Sequence, residues 1–175
     1  MLFVTLDFPY VLKYNFDDMY FKELIDSLAA QLHITDGIEI DRENRCSLEF
    51  DGMCVVIQGV DEVQAVVFCS PLGEPPPDQL FEFYRALLVA NFNFQGTLGA
   101  TLSVNPENGK VFLCRSLSSA ALDEATFITA LENFINTVEV WCDFVANFRA
   151  PVVPVRSQNQ TQRRWPGQPP SFPAR

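Results

Sequence analysis

Five cysteines, a single histidine and a group of carboxylates are the side chains from which this 175-residue chain would have to build any chemistry. Cys46, Cys54, Cys69, Cys114 and Cys142 form no CxxC pair, and their number is odd. That pattern reads as reduced thiols in a cytosol, and apolar surroundings make four of them buried structural residues by default. His33 follows the first helical pattern and reads as a helix-end residue, with no Ser-His-Asp or Cys-His spacing around it. One histidine and dispersed cysteines do not make a structural zinc set, and Asp17-Asp18 is more simply a helix first turn. The chain has no phosphate-binding loop and no dinucleotide fingerprint, and Gly96-Thr-Leu-Gly99 lacks the basic flanks that would make it more than a turn. Glu39, Asp41, Glu43 and Glu49 cluster, but at turn and outward strand positions, where a solvated acidic face is expected. The expectation is a protein without catalytic, cofactor or metal residues. A reactive thiol at Cys54 or Cys114 is the enzymatic alternative, separable by thiol titration of the native chain.

The elements that would carry these residues are legible from periodicity. Phe21, Leu24, Ile25, Leu28, Ala29 and Leu32 form one helical stripe, predicting a helix over 17–33 with Asn15 as cap and Tyr14 against Met19. The period then becomes two. Cys46, Leu48 and Phe50 alternate with polar neighbours, Asp51-Gly52 turns the chain, and Met53–Gln58 and Val63–Cys69 follow as strands of an antiparallel meander. Pro75-Pro-Pro-Asp78 precedes a second helix, expected over 78–94 with Asp78 as its cap. Leu98–Val104 and Lys110–Arg115 form a later hairpin. A third helix starts near Asp123, lined by Phe127, Leu131, Phe134, Val138, Trp141 and Val145. The order α-β-β-β-α-β-β-α predicts an α+β domain whose twisted antiparallel sheet is packed by helices.

Composition sets the class of partner. Hydrophobic residues make up 48% of the chain and charged ones 19%, enough for a sizeable core and against wholesale disorder. No apolar run reaches the roughly 18 residues a membrane span requires. The net charge of −10 argues against nucleic acid or anionic lipid as main partner. The last acidic residue is Asp143, whereas residues 149–175 carry five Arg and six Pro, which predicts a disordered basic tail over 151–175. The first 18 residues read as a leader, strand-like or preceding an alternative start at Met19, which leaves 19–150 as the domain.

An apolar surplus remains. Val55 and Ile57 alternate with Cys54 and Val56, and Val67 with Val66 and Phe68, so both faces of the central strands carry apolar residues. Either the three helices cover both faces, or one face stays free to bind. The 16 Phe favour binding. Leu24, Leu28, Val56, Val66 and Phe68 are the expected contacts of a bound polypeptide. Leu80, Phe83, Tyr84, Leu87 and Leu88 cover more of the second helix than one stripe and are the expected interface of a homodimer.

The order and spacing of several motifs resemble the type III secretion chaperones of the Tir chaperone (CesT-like) family, class I, over about 19–148. They are Asp41–Cys46 with Leu48, Leu72-Gly73 before the prolines, Leu87-Leu-Val-Ala-Asn91, Leu102-Ser-Val-Asn105 with Gly109-Lys-Val-Phe-Leu113, and Leu122-Asp123 with Phe127, Leu131 and Phe134. The chain departs from the family in its first 18 residues, its tail, and Glu43-Asn44 where Gly is frequent. The resemblance implies a non-enzymatic, acidic homodimer in the bacterial cytoplasm. Such a protein binds the N-terminal segment of a secreted effector, keeps it soluble, and targets it to the secretion apparatus and its ATPase. A small adaptor or sensor domain binding a folded partner is the alternative. The effector itself is not legible.

Overall fold

A computed structural model describes residues 18–149 of the chain. In order, the elements are α1 (Asp18–Gln31), β1 (Arg45–Phe50), β2 (Met53–Val60), β3 (Ala65–Gly73), α2 (Leu80–Asn91), β4 (Thr101–Val104), β5 (Val111–Ser118) and α3 (Glu124–Asn147). This is the expected α+β order. The expected leader and basic tail fall outside the described residues, as do Asn15 and Tyr14, the cap and staple expected for α1.

The five strands form one antiparallel sheet in the order β1-β2-β3-β5-β4. Asp51 and Gly52 both take positive φ, 49° and 81°, between the paired residues Phe50 and Met53. Two left-handed residues make the tight hairpin whose twist matches the strands, and Asp-Gly is the dipeptide that tolerates it.

All three helices lie on the same side of the sheet. Phe21, Leu24, Ile25 and Leu28 of α1 join Phe127, Leu131 and Phe134 of α3 over Val55, Ile57, Val66 and Phe68 in one core. The Phe68 ring lies 5.6 Å from both Phe127 and Phe134. The other end of α3 carries α2, whose Phe83 stacks on Phe144 at 6.3 Å and meets Phe148 edge-on at 5.1 Å. The opposite sheet face has no helix over it among the described residues, and apart from Ala65 its side chains are exposed or half-buried. Among the described residues, then, one face of the sheet is core and the other is left open by the three helices.

Several expectations need correction. Val56 lies opposite Cys69, whereas Ile57 lies opposite Phe68 and Gly59 opposite Val66. Val66 and Phe68 therefore share the core face, and Val56 the open one, so the three do not form a common surface. Leu24, Leu28, Val66 and Phe68 are all buried, at 0–3% exposure. On α2, Phe83 and Leu87 are buried too, because they are the stripe that meets α3 and β4. Asp78 does not cap α2: it sits in a short 3-10 turn, Pro77–Gln79, and Gln79 occupies the cap position without a side-chain bond. Asp123 does cap α3, accepting from the Thr126 N–H at 2.7 Å.

Candidate functional site

The two edges of the sheet are treated differently. At β4, the Asn91 side chain accepts from Leu102 N–H at 2.9 Å and donates to Leu102 C=O at 3.1 Å. One amide at the end of α2 thus imitates a neighbouring strand and closes that edge. At β1, Asp41 N–H donates to Arg45 C=O at 2.8 Å, and the Asp41 carboxylate accepts from the N–H groups of Glu43 and Arg45. The Arg45 guanidinium bonds back to Asp41 and Glu43 at 3.1 and 2.6 Å. Burial alone would raise the Asp41 pKa. The backbone donors of Glu43 and Arg45 and the Arg45 charge outweigh it and hold the carboxyl below its ordinary range.

This staple covers only the start of β1. Asn44 C=O accepts from Gly59 of β2, whereas Arg45 C=O turns outward to Asp41. Backbone groups alternate sides along an antiparallel strand. Ser47 and Glu49 therefore aim their N–H and C=O away from β2. Among the described residues no strand pairs with β1 there.

Next to this edge lies a small apolar cleft of about 80 Å³. Leu28 of α1, Leu32 just past its end, Phe50 of β1, and Ile128, Leu131 and Ile135 of α3 line it. Leu32 is 39% exposed, and Phe50, Ile128 and Ile135 are half-buried. Of the residues expected to hold a polypeptide, Leu28 lies on this cleft as a buried wall and Val56 on the open sheet face, while Leu24, Val66 and Phe68 are interior. Sequence reasoning missed Phe50 and the α3 residues, because Phe50 and Leu131 are ordinary members of their own stripes and Ile128 and Ile135 flank the α3 stripe. Only the three-dimensional meeting of α1, β1 and α3 makes them a surface.

A second apolar surface runs along α2. Leu80 is partly exposed, and Phe81, Leu88, Val89 and Phe92 strongly so, with Phe81 at 75% and Phe92 at 72%. Spacings of seven and four put Phe81, Leu88 and Phe92 on one ridge. Tyr84 is half-buried against Phe83, 5.8 Å away. Between this helix and α3 opens a wider groove, bordered by Glu82, Arg85, Val89, Phe144 and Phe148.

The groups considered for catalysis are dispersed. His33 is exposed, with a left-handed φ of 56° that ends α1. Cys46 is buried, and that burial, with Asp41 nearby, pushes its thiol up to about 12. Burial likewise raises Cys142. Cys54 is exposed, and Cys69 and Cys114 are half-buried neighbours on the open face. No set of three metal-ligating side chains comes together among the described residues. No helix there is long and apolar enough to cross a membrane.

Comparison with known proteins adds what the geometry alone does not. The family model described as "Tir chaperone protein (CesT) family" matches residues 23–142. Among curated protein sequences no significant match was found. The fold is similar to a chain of the HopA1-SchA chaperone-effector complex, at 15% identity and a TM-score of 0.63, over 75% of this chain and 99% of that one. A chain of the ExsC-ExsE complex matches at 18% identity and 0.64, over 74% and 96%. A chain of the heterodimeric ExoU-SpcU complex from the type III secretion system of Pseudomonas aeruginosa matches at 18% and 0.54, over 70% and 95%. At these identities the likeness is one of fold.

Proposed function

Since the chain belongs to the Tir chaperone protein (CesT) family, we propose that it is a type III secretion chaperone, a binding protein without catalysis that takes up the N-terminal segment of a secreted effector. The observation that carries the proposal is the pairing of an open strand edge with an apolar cleft at β1. An extended client adds a strand there, bonding to the N–H and C=O of Ser47 and Glu49. Its alternate side chains on the core side reach the cleft at Leu32, Phe50, Ile128 and Ile135. Main-chain bonds accept any extended sequence, and the cleft selects apolar side chains at a spacing of two. A client segment held this way cannot fold, which is what keeps it soluble and competent for secretion. The HopA1-SchA structure, a chaperone-effector complex of similar fold, supports the same reading.

The chaperone acts as a homodimer. Phe81, Leu88 and Phe92, flanked by Leu80 and Tyr84, form an apolar ridge that a second copy buries about a two-fold axis. This keeps α2 as the interface but exchanges the inward Phe83 and Leu87 for the outward ridge. Delivery of the loaded dimer in the bacterial cytoplasm, with the secretion ATPase as its acceptor, completes the proposed role.

The test is a proline at Ser47. Proline is tolerated on an edge whose N–H faces outward, but it removes the donor that a client strand needs. Ser47→Pro should stay folded by circular dichroism and lose effector binding. A folded Ser47→Pro chain that binds its effector as well as the parent would refute strand addition at β1.

A further inference from the structure

On the open face of the sheet, Cys69 of β3 and Cys114 of β5 are direct register partners, with their sulfurs 3.2 Å apart. Their backbone relationship follows from the neighbouring edge. Leu102 turns both of its backbone groups to Asn91, so Thr101 and Ser103 are the residues of β4 that bond to β5. Thr101 lies opposite Cys114, which therefore turns its own N–H and C=O toward β4 and away from β3. Toward β3, Cys114 and Cys69 are a non-hydrogen-bonded pair, in which the Cα atoms approach to about 4.5 Å and the side chains lie close together. That separation falls at the near end of the range of about 4.4–6.8 Å that a disulfide spans.

We infer that Cys69 and Cys114 form a dithiol site that hydrogen peroxide converts to a disulfide across β3 and β5. Three further features support it. The hydrogen bond from the Cys69 thiol lowers the Cys114 pKa and raises that of Cys69, with burial opposing the shift at Cys114 and the Ser103 hydroxyl assisting it. Cys114 is thereby the attacking sulfur and Cys69 the resolving one. The pair lies on the face that carries no helix among the described residues, so a small oxidant reaches it without unfolding the core. Cys46, by contrast, is sealed inside, and Cys54 has Ser47, not a thiol, as its hydrogen-bond neighbour at 3.3 Å.

The chemistry balances with one peroxide. The Cys114 thiolate attacks one peroxide oxygen and the O–O bond breaks. The displaced hydroxide takes up a proton as water, leaving a sulfenic acid on Cys114. The Cys69 sulfur then attacks the Cys114 sulfur, the S–O bond breaks, and hydroxide leaves with the Cys69 proton as a second water. Two thiols lose two electrons and the peroxide gains them. The bond closes a loop from residue 69 to 114 that contains all of α2 and β4. Oxidation would therefore tie the segment carrying the α2 ridge to the middle of the sheet, independently of what binds at β1.

The experiment treats the purified full-length chain with hydrogen peroxide, removes the oxidant, then counts free thiols after unfolding in denaturant and maps linked peptides by mass spectrometry. The expected result is a fall from five titratable thiols to three, a single Cys69–Cys114 linked peptide, and full recovery with dithiothreitol. The Cys69→Ser chain should form no intramolecular link, and its Cys114 should proceed to sulfinic acid. Five free thiols after treatment, sulfinic acid on Cys114 of the unsubstituted chain, or a link formed through Cys54 instead would each overturn the assignment.

Discussion

The Asn91 side chain forms two hydrogen bonds with the backbone of Leu102, at 2.9 and 3.1 Å, and so closes the β4 edge of the sheet. Because β4 is closed and β1 has no strand partner among the described residues, β1 is the edge at which another chain can extend the sheet. The relationship therefore bears on client binding although Asn91 lies at the opposite edge. Asn91→Leu should leave both backbone groups of the buried Leu102 without their partners, costing about 1–3 kcal/mol. Urea unfolding measures the loss, and light scattering should show association through the newly opened edge.

The core face and the open face give opposite forecasts for similar substitutions. Phe68→Ala removes a ring packed against Phe127 and Phe134 and should destabilise by about 3–5 kcal/mol. Val56→Glu, on the open face, should leave the chain folded with an unfolding midpoint close to that of the parent. Parallel denaturant titrations decide this, and an unfolded Val56→Glu chain would mean that the open face is covered.

The α2 helix divides the same way. Leu88→Asp should preserve the fold and convert the dimer to a monomer, because Leu88 is 71% exposed on the protomer. Leu87→Asp should unfold the chain instead, since it places a charge in the interior. Size-exclusion chromatography with light scattering reads the first outcome and circular dichroism the second. A monomeric parent chain at micromolar concentration would remove the dimer from the account.

Acid should loosen the N-terminus of α3. The hydrogen bonds from Thr126 hold the Asp123 carboxyl below its ordinary value of 3.8. A depressed folded pKa contributes stability above the unfolded value, and that contribution is lost as pH falls through the folded value. Thermal melts of Asp123→Ala should therefore lie below the parent at neutral pH and converge with it as pH drops well beneath 3.8.

These contrasts also show what was legible in the sequence. The element order was, because apolar periods of 3.6 and two, Asp51-Gly52 and Asp123 each carry local physical signals. Which face of β3 meets which face of β2 was not. Alternation separates Val66 and Phe68 from Val67 within β3, but the register across the turn 61–64 decides that they join Ile57 rather than Val56. The same holds for Leu24 and Leu28: a stripe shows that a helix buries one side, not that the cover is the chain's own α3. The β1 edge was invisible for another reason, since a backbone N–H at Ser47 with no strand partner among the described residues leaves no mark on residue type.

Strand addition at β1 is tested most directly by hydrogen exchange of the Ser47 and Glu49 amides in the purified chain, with and without the N-terminal segment of an effector captured by pull-down. Strand addition predicts strong slowing at both amides on binding, together with loss of binding in folded Ser47→Pro. Bound effector that leaves both amides exchanging at their free rates would contradict it.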